Sequence, residues 1–540
     1  MSNHIRIVLA QLNLHVGDIA GNLQKHITAA ITARDTLKAD VIVFPELSIT
    51  GYSPDDLLLR PSFVKDAMAA LQAFTSDIKN IYCVVGHPYT DNHHLFNACS
   101  LLYNGKIIAQ YSKQKLPNYG VFDEARYFTA STQSCVLPIA GMSAGLVICE
   151  DLWKLGPTAF AAEQGANIIL APNASPFESD KHEQRVSVLA KRAKHDKLAI
   201  VYVNHVGGQD DVVFDGGSMV IDKHGKCAQF AGFFNEILFP VDVEIKSSPK
   251  IISTPAIIIP SKTERMYQAL VLSVRDYIAK NHFSGVMIGV SGGIDSALTL
   301  AIAVDALGKD KVHAVIMPSR FTSDISMQDA KALVDAFGVS SEIISIEPLY
   351  QTTLQSLAAS FTDQQPDVTE ENIQARCRAI ILMALSNKFG HLVLTTGNRS
   401  ELAVGYCTLY GDMAGGFAVL KDVLKTEVYE LAEYRNREAI MIPLRTIQRA
   451  PTAELAPDQK DEDSLPPYSI LDEILKLYLN HSLSMDEIIA NGFERDVVVK
   501  VIGLIRKSEY KRKQSAIGPH LNHKSFGKDW RYPITNGYRG

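Results

Sequence analysis

The stretch GVMIGVSGGIDSALTLAIA, residues 285–303, decides the fold of the second half of the chain. An apolar run ends at Val290, a turn of serine, glycine and aspartate follows, and helix-forming residues then resume. Gly292 and Gly293 let successive backbone N–H groups point into one concavity, to which the following helix adds its positive end. The turn therefore suits a phosphate group, although a tight turn with Asp295 or Ser296 as helix cap is the usual explanation of a generic glycine pair.

The spacing around this turn excludes two common phosphate-binding motifs. No Gly-Lys-Ser/Thr follows, as a Walker A motif requires, and Gly289, Gly292 and Gly293 do not match G-x-G-x-x-G. Apolar segments alternate with helical ones over residues 285–397, including helices predicted at 295–307, 324–337 and 371–389. This βαβα order predicts an α/β fold with a doubly wound parallel sheet, in which residues 291–296 lie where such sheets bind ligands.

Two domains are predicted from the length and from a Pro-punctuated stretch. The 540 residues exceed what one core usually organises. Short apolar strands separated by helices indicate an α/β domain at 1–245, a linker at 246–261 and a second domain at 262–540. The Pro-rich, polar segment 448–467 is predicted to be a long loop, of the kind that is usually either disordered or a functional lid.

Composition favours an intracellular protein with small-molecule partners. The net charge of −6, with 46% hydrophobic residues, lacks the basic excess typical of nucleic-acid binding. The seven cysteines form no CxxC pair, which argues against a disulfide framework and a structural zinc site. The N-terminus becomes polar too soon for a signal peptide, and no run of 18 apolar residues occurs. We expect a cytoplasmic protein that binds neither membranes nor nucleic acid.

The motif SGGIDS resembles the pyrophosphate loop of the ATP pyrophosphatase superfamily. Four further segments extend the likeness to the NAD synthetases over residues 262–540, namely ENIQARCRAIILM (371–383), TTGNRSELAVGYCTLYGD (395–412), LKDVLKTEVYELA (420–432) and HKSFGKDWRYPI (523–534). The resemblance implies an adenine nucleotide alpha hydrolase-like, Rossmann-like domain. It also implies an enzyme that splits ATP into AMP and pyrophosphate while it adenylates a substrate carboxylate.

The resemblance assigns residues to two substrates and a metal. It implies an ATP site at Ser291, Gly292, Gly293, Asp295, Ser296, Arg376 and Thr396, and a deamido-NAD site at Glu401, Asp412, Lys421 and Lys524. Asp295 and Glu401 would hold the Mg²⁺ that accompanies ATP. From local sequence alone, Glu401 is as well explained as a helix cap after Ser400, and each basic residue is more typical of a solvated surface.

The first domain carries a separate set of candidate catalytic residues near strand ends. They are Glu46 in VIVFPELSITGY, Lys113 in YSKQKLPNYGVFDE and Cys149 in GLVICEDLW. A lone cysteine after an apolar run is usually a small buried hydrophobe. Together, however, the segments resemble the nitrilase superfamily over residues 4–245, which implies an α-β-β-α sandwich.

The nitrilase resemblance implies a role for each of these groups. Cys149 becomes the nucleophile for a carboxamide, Glu46 the general base, and Lys113 the cation that stabilises the oxyanion and favours the thiolate. Lys113 is preferred to Lys115 because it fits the family's Lys-x-x-Leu-Pro pattern. The predicted glutamine-binding residues are Tyr119, Glu124 and Ser175.

The two halves together resemble the glutamine-dependent NAD synthetase family. This implies that ammonia released from glutamine amidates deamido-NAD through an adenylated intermediate, with the 448–467 loop closing over it, and that the chain forms a homo-oligomer. Another glutamine-fed ATP pyrophosphatase would share only SGGIDS. A nitrilase-like binding module without turnover would not need the thiol, and a nucleic-acid modifying enzyme would need a basic, aromatic-rich strip.

Overall fold

The structure is a computed structural model that describes residues 4–245, 249–252, 258–452, 454–456 and 459–538. The chain divides into two compact units, Met1–Pro260 and Ser261–Gly540. The predicted linker at 246–261 falls at this division, and its residues 246–248 and 253–257 lie outside the described ranges. Lys250–Ile251 is not free linker, because it pairs antiparallel with Ile237–Glu244 and extends a sheet of the first unit.

The first unit is built mainly from β-strands. Its strands are His4–Gln11 (β1), Val41–Val43 (β2), Tyr82–Asp91 (β3), His94–Tyr103 (β4), Lys106–Ser112 (β5), Val136–Ile139 (β6), Met142–Leu146 (β7), Ile168–Asn173 (β8), Ala199–Asn204 (β9), Val206–Gln209 (β10), Val212–Asp215 (β11), Met219–Ile221 (β12), Cys227–Phe230 (β13), Ile237–Glu244 (β14) and Lys250–Ile251 (β15). Its helices are Ile19–Asp35 (α1), Pro61–Asp77 (α2), Glu150–Trp153 (α3), Pro157–Glu163 (α4) and Lys181–Asp196 (α5), with 3₁₀ turns at Asp55–Leu59 and Glu124–Arg126.

These elements form the predicted α-β-β-α sandwich. One large sheet has the order β15-β14-β1-β2-β3-β4-β5, the second large sheet has the order β13-β12-β9-β8-β7-β6, and β10 and β11 form a separate two-stranded sheet. The core between the sheets joins side chains of both, such as Leu9 and Val43 with Leu170 and Val201. Helices α1 and α2 cover the outer face of the first sheet, and α5 covers that of the second. The residues predicted to be catalytic follow β2, β5 and β7, so the ends of these three strands are the candidates for a shared site.

The second unit alternates strands and helices. Its strands are Val286–Gly289 (β16), Val312–Ile316 (β17), Ser340–Ile343 (β18), Leu392–Thr395 (β19) and Phe417–Ala418 (β20). Its helices are Lys262–Lys280 (α6), Ile294–Leu307 (α7), Asp324–Phe337 (α8), Glu347–Leu357 (α9), Val368–Phe389 (α10), Arg399–Val404 (α11), Lys425–Arg435 (α12), Leu444–Gln448 (α13), Tyr468–Leu475 (α14), Met485–Ala490 (α15), Arg495–Lys507 (α16) and Glu509–Arg512 (α17), with 3₁₀ turns at Lys309–Lys311 and Asp461–Asp463 and a π-helical turn at Lys476–Asn480.

The sheet of the second unit is parallel throughout, in the order β18-β17-β16-β19-β20. Chain order reverses on either side of β16, which creates a crevice beyond its carboxyl end. Helix α7 starts at this crevice and buries most of its residues, among them Ala297, Leu298, Leu300 and Ala301. The predicted doubly wound fold is confirmed.

The 448–467 segment contains little regular structure among its described residues. The helix α13 ends at Gln448, a single 3₁₀ turn occupies Asp461–Asp463, and α14 begins at Tyr468. Residues 453, 457 and 458 of this predicted loop lie outside the described ranges. Across the described part of the chain, no helix combines the length and the apolar composition that a membrane span requires.

Candidate active sites

The nucleophile candidate of the first unit lies at a sharp strand-to-helix turn. Cys149 follows β7 and precedes α3, and its φ of 43° lies in the left-handed region that a non-glycine residue rarely adopts. Its N–H donates to Pro172 O over 3.1 Å, which ties the turn to the end of β8. The residue is 4% exposed. The turn thus holds a single thiol at the carboxyl edge of the sheet.

A buried lysine joins two carboxylates beside this thiol. The ammonium group of Lys113, after β5, lies 2.6 Å from Glu46 Oε1 and 2.8 Å from Glu124 Oε1. Tyr52 also donates its hydroxyl to Glu124 Oε1 over 2.7 Å. Glu46 Oε2 is buried and has no hydrogen-bond partner. The structure brings together Glu46, Lys113, Glu124 and Cys149, whereas the backbone N–H of Lys115 donates to Asp151.

Electrostatics keep the lysine charged and the thiol protonated. Burial alone would lower the pKa of Lys113, but the carboxylates of Glu124 and Glu46 raise it well above its ordinary value. Burial, and secondly the charge of Glu46, raise the pKa of Cys149 well above the ordinary range. Lys113 opposes this rise but does not overcome it. Lys113 therefore acts in the predicted direction, towards the thiolate, and the thiol proton would leave during attack.

Two of the predicted glutamine-binding residues, Tyr119 and Ser175, are each connected to the thiol by one neighbouring residue. The hydroxyl of Tyr119 donates to Glu150 Oε2 over 2.9 Å, and Glu150 directly follows Cys149. Glu150 Oε1 accepts no hydrogen bond, and the ammonium of the half-exposed Lys154 lies 3.5 Å from it. Ser175 follows Ala174, whose N–H faces the thiol, and its Oγ accepts from the buried Arg185 over 3.0 Å. Glu150 was not predicted, because an acid next to a cysteine carries no sequence signal.

A close backbone approach at Gly86 positions the general-base candidate. A Cβ atom at Gly86 would lie 2.5 Å from Pro45 O and 2.5 Å from Leu47 N, on both sides of Glu46. We expect Gly86→Ala to displace this backbone, to lower the free energy of unfolding by about 1–3 kcal/mol and to reduce amide hydrolysis. Urea denaturation and a hydrolysis assay measure both effects. The matched control is Gly503→Ala, where no atom lies within 4 Å, and equal effects of the two changes would contradict the prediction.

In the second unit, the SGGIDS turn lines a cavity of about 300 Å³. Gly292 has a φ of 85°, and a Cβ there would lie 2.4 Å from Ser326 O, so only glycine fits this position. Ser296 Oγ donates to Gly293 O over 2.9 Å and Gly293 N–H donates to Ser291 Oγ over 3.2 Å, which fixes the turn. The predicted residues that line the cavity are Ser291, Gly292, Gly293, Asp295, Ser296, Thr396, Glu401 and Asp412.

A buried lysine also lies between the two predicted metal ligands. Lys425 Nζ is 2.5 Å from Asp295 Oδ2 and 3.1 Å from Glu401 Oε1, and the lysine side chain is 2% exposed. Burial raises the pKa of Glu401 to about 8. The charge of Lys425 opposes this rise, and that of Asp295 adds to it. For Lys425, burial acts to lower the pKa, but Asp295 and Glu401 raise it overall. Two acidic side chains and one fixed cation thus converge at the mouth of the turn.

The remaining predicted residues of the second unit divide into two groups. Asp412 and Lys421 line a smaller cavity of about 40 Å³ that shares Glu401 with the larger one, and burial raises the pKa of Asp412 to about 6. Arg376 is exposed and its Nε donates to Leu409 O, and Lys524 donates to Ser482 Oγ. Neither Arg376 nor Lys524 lines either of these two cavities.

Comparison with known proteins assigns each unit to a family. The carbon-nitrogen hydrolase family matches residues 6–247, and the NAD synthase family matches residues 266–515. A glutamine-dependent NAD⁺ synthetase from Acinetobacter baylyi is 48% identical over 99% of both chains, and one from Thermotoga maritima is 43% identical over 99% of both. The chain belongs to the glutamine-dependent NAD⁺ synthetases. Members of this family are ATP-dependent ligases, and this chain is an enzyme of that class.

Solved structures agree with the fold of a glutamine-dependent NAD⁺ synthetase along the whole chain. The enzyme from Acinetobacter baumannii, in complex with ADP, has a TM-score of 0.81 at 44% identity and covers 99% of both chains. The enzyme from Cytophaga hutchinsonii has a TM-score of 0.85 over 99% of this chain and 98% of its own, at 22% identity, which supports the fold alone. The predicted family, fold class and overall reaction of this synthetase are confirmed.

The synthetase cavity contains basic residues that sequence reasoning missed. Arg378 lines it, lies two positions after the predicted Arg376 on α10, and donates from Nε to Met317 O over 3.2 Å. If ATP binds in this cavity, as the SGGIDS resemblance implies, Arg378→Ala is expected to raise the KM for ATP about 10- to 100-fold, because a guanidinium that would bind its phosphates is lost. Arg376→Ala, on the exposed side of the helix, serves as the control in the same assay. A larger effect at Arg376 would contradict the placement of ATP in this cavity.

Proposed function

We propose that the first unit hydrolyses glutamine at Cys149 through a thioester. The sulfur attacks the side-chain carbonyl carbon, Glu46 Oε2 accepts the thiol proton, and Lys113 stabilises the oxyanion. The C–N bond then breaks, the leaving group takes the proton from Glu46 and departs as ammonia, and water hydrolyses the thioester to glutamate. The observation that carries this proposal is the buried Glu46–Lys113–Glu124 cluster beside the buried thiol of Cys149.

We propose that Glu150 and Tyr119 recognise the amino-acid end of glutamine. The buried carboxylate of Glu150, next to Cys149, keeps Oε1 without a hydrogen bond and pairs it only over 3.5 Å with the half-exposed Lys154, so this oxygen suits the substrate's α-ammonium group. Tyr119 orients Glu150 through its hydroxyl. Ser175 is held by Arg185, which itself pairs with Asp215 over 2.8 Å, and so offers a fixed hydroxyl to the substrate.

For the second unit, we propose that the cavity at the SGGIDS turn binds ATP and the smaller cavity receives deamido-NAD. The nicotinate carboxylate attacks the α-phosphate of ATP and pyrophosphate leaves; ammonia then attacks the acyl adenylate, yielding NAD⁺ and AMP. Backbone N–H groups at the turn, with Arg378 and Lys425, offer positive groups to the phosphates. Asp412 and Lys421 line the smaller cavity beside Glu401 and would contact the dinucleotide.

We propose that Asp295 and Glu401 hold Mg²⁺ together with the nucleotide. Their oxygens both approach Lys425 Nζ, so they already face one cation position, and carboxylate oxygens are the ligands that Mg²⁺ prefers. No group of three or more His, Cys, Asp or Glu side chains suited to a metal occurs in the described part of the chain. Phosphate oxygens and water would therefore complete the coordination. The ion would offset the charge that develops as pyrophosphate leaves.

The 448–467 segment is proposed to act as a lid on the ATP cavity. Its Arg449, Thr452, Leu455 and Asp461 line that cavity. Glu454 accepts hydrogen bonds from Ser323 and Ser326 at the start of α8 and from Arg449, which fastens the segment over the crevice. A covered crevice would exclude the water that hydrolyses an acyl adenylate.

Product stoichiometry tests this function. The enzyme is supplied with deamido-NAD, ATP and Mg²⁺, and NAD⁺, AMP and pyrophosphate are measured with glutamine or ammonium as nitrogen source. We expect equal amounts of the three products from either source, and one glutamate per NAD⁺ with glutamine. Formation of ADP and phosphate instead would rule out the proposed adenylation, and absence of NAD⁺ from ammonium would rule out the proposed acceptor.

We also propose that the enzyme is a cytosolic homo-oligomer. All seven cysteines are free thiols, which fits a reducing compartment. Helix α10 exposes the apolar side chains of Ile380, Met383 and Phe389 by 58%, 38% and 59%, a surface suited to a second copy of the chain. Sedimentation velocity on the wild type and on Ile380→Glu tests the assembly, since a monomer in both cases would contradict it.

A further inference from the structure

We propose that Asn97 is a positioning residue of the glutaminase site, which saturates one oxygen of Glu46 so that the other stays open to accept the thiol proton. The inference rests on the proposed roles of Glu46 and Lys113 and extends them to a residue that neither the motifs nor the family matches point out. Asn97 lies within β4 and is 1% exposed.

The amide of Asn97 contacts the general-base candidate directly. Its Nδ2 donates to Glu46 Oε1 over 2.7 Å and lies 3.5 Å from Glu124 Oε2. Lys113 Nζ donates to the same oxygen of Glu46 over 2.6 Å. Glu46 Oε1 thus accepts two N–H bonds, whereas Glu46 Oε2 accepts none. Of the two oxygens, only Oε2 has its lone pairs available for a proton.

The main chain of Asn97 holds the lysine in the same arrangement. Its carbonyl oxygen accepts the backbone N–H of Lys113 over 2.8 Å. One residue therefore fixes the side chain of the base and the backbone of the cation. A displacement of about 1 Å in such an arrangement lowers rates about 100-fold.

The chemistry of an amide explains why an asparagine occupies this position. An amide N–H is neutral, so it binds Glu46 without cancelling the negative charge that makes the carboxylate a base. A second cation would stabilise the charged carboxylate further and weaken it as a proton acceptor. Lys113 alone already has to balance the negative charges of Glu46 and Glu124. An aspartate at this position would add a third negative charge next to them.

Two variants of Asn97 test the proposal with two nitrogen sources. We expect Asn97→Leu, of similar size, to lower kcat with glutamine about 100-fold while KM for glutamine and the ammonium-driven rate remain unchanged. We expect Asn97→Asp to lower kcat as well and to move the acid side of the kcat/KM profile to higher pH, because the added charge retains a proton on the carboxylate pair. A merely structural role would not move the pH profile.

The controls separate this inference from the proposed function. Ser100→Ala changes a buried residue of the same strand that contacts His87 instead of Glu46, and we expect a normal pH profile. If Cys149→Ala retains glutamine-driven activity, the proposed function fails. If that variant is inactive with glutamine while both Asn97 variants keep normal kcat, only the role of Asn97 is overturned. Should Asn97→Leu not fold, an unshifted pH profile of Asn97→Asp suffices to overturn it.

Discussion

Replacing Cys149 by alanine is expected to abolish NAD⁺ formation from glutamine while formation from ammonium continues at the wild-type rate. The thiol is the only proposed nucleophile of the first unit, and its loss removes the covalent route by which ammonia is released. We expect the glutamine-driven rate to fall by at least about 1,000-fold. The measurement follows NAD⁺ with deamido-NAD, ATP and Mg²⁺ at saturating glutamine or ammonium.

A second cysteine of the same unit provides the matched control for this experiment. Cys83 is also buried, at 1% exposure, but it packs against α1 and α2 on the outer side of the first sheet. We expect Cys83→Ala to keep both activities and to lose only a small part of its stability. Residual glutamine-driven synthesis in Cys149→Ala would contradict the proposed nucleophile, whereas loss of the ammonium-driven rate would contradict the division of chemistry between the units.

Replacing Lys425 by methionine is expected to affect both stability and synthesis. The change leaves Asp295 and Glu401 partly buried without the cation that lies 2.5 and 3.1 Å from them. Losing one partner of a buried ion pair costs about 3–5 kcal/mol, and losing a phosphate contact slows adenylation on the order of 100-fold. Urea denaturation measures the first effect, and NAD⁺ formation from glutamine and from ammonium measures the second.

The same variant also tests the predicted metal position without relying on activity. With the ammonium group removed, the two carboxylates attract Mg²⁺ more strongly, so Mg²⁺ should raise the Tm of Lys425→Met more than that of the wild type. Lys476→Met is the control, because its partner Glu473 lies at the surface. An equal effect of Mg²⁺ on wild type and Lys425→Met would count against a metal site at Asp295 and Glu401.

The fold of the second unit was more predictable from local sequence than the fold of the first unit. Helix α8 spans Asp324–Phe337 as predicted, because Ser323 caps its start and Gly338 ends it with a φ of 62°. The strand–turn–helix at β16 and α7 likewise follows from the apolar run and the glycines. The stacking of two sheets in the first unit depends on a core shared by distant segments, with Leu9 and Leu170 in one buried cluster, and no periodicity specifies it. There the family resemblance supplied what local patterns could not.

The site residues likewise fall into those that a sequence motif identifies and those that only tertiary contacts reveal. The motifs identified Glu46, Lys113 and Cys149 because each carries its own surrounding pattern, and the structure brings them together. Lys425 was missed because its partner Asp295 is 130 positions away in the chain. Arg376 and Arg378 lie two positions apart on one helix and therefore on different faces of it. Only Arg378 lines the cavity, and a short motif does not determine which of the two does so.

The protonated, buried state of Cys149 has a consequence for the chemical durability of the enzyme. Peroxides and alkylating reagents react with thiolates, and the rate of attack follows the thiolate fraction and the exposure of the sulfur. Because burial and Glu46 keep this thiol neutral at 4% exposure, the resting enzyme presents a poor target to oxidants. The proposed nucleophile is thereby protected from oxidation and alkylation between turnovers.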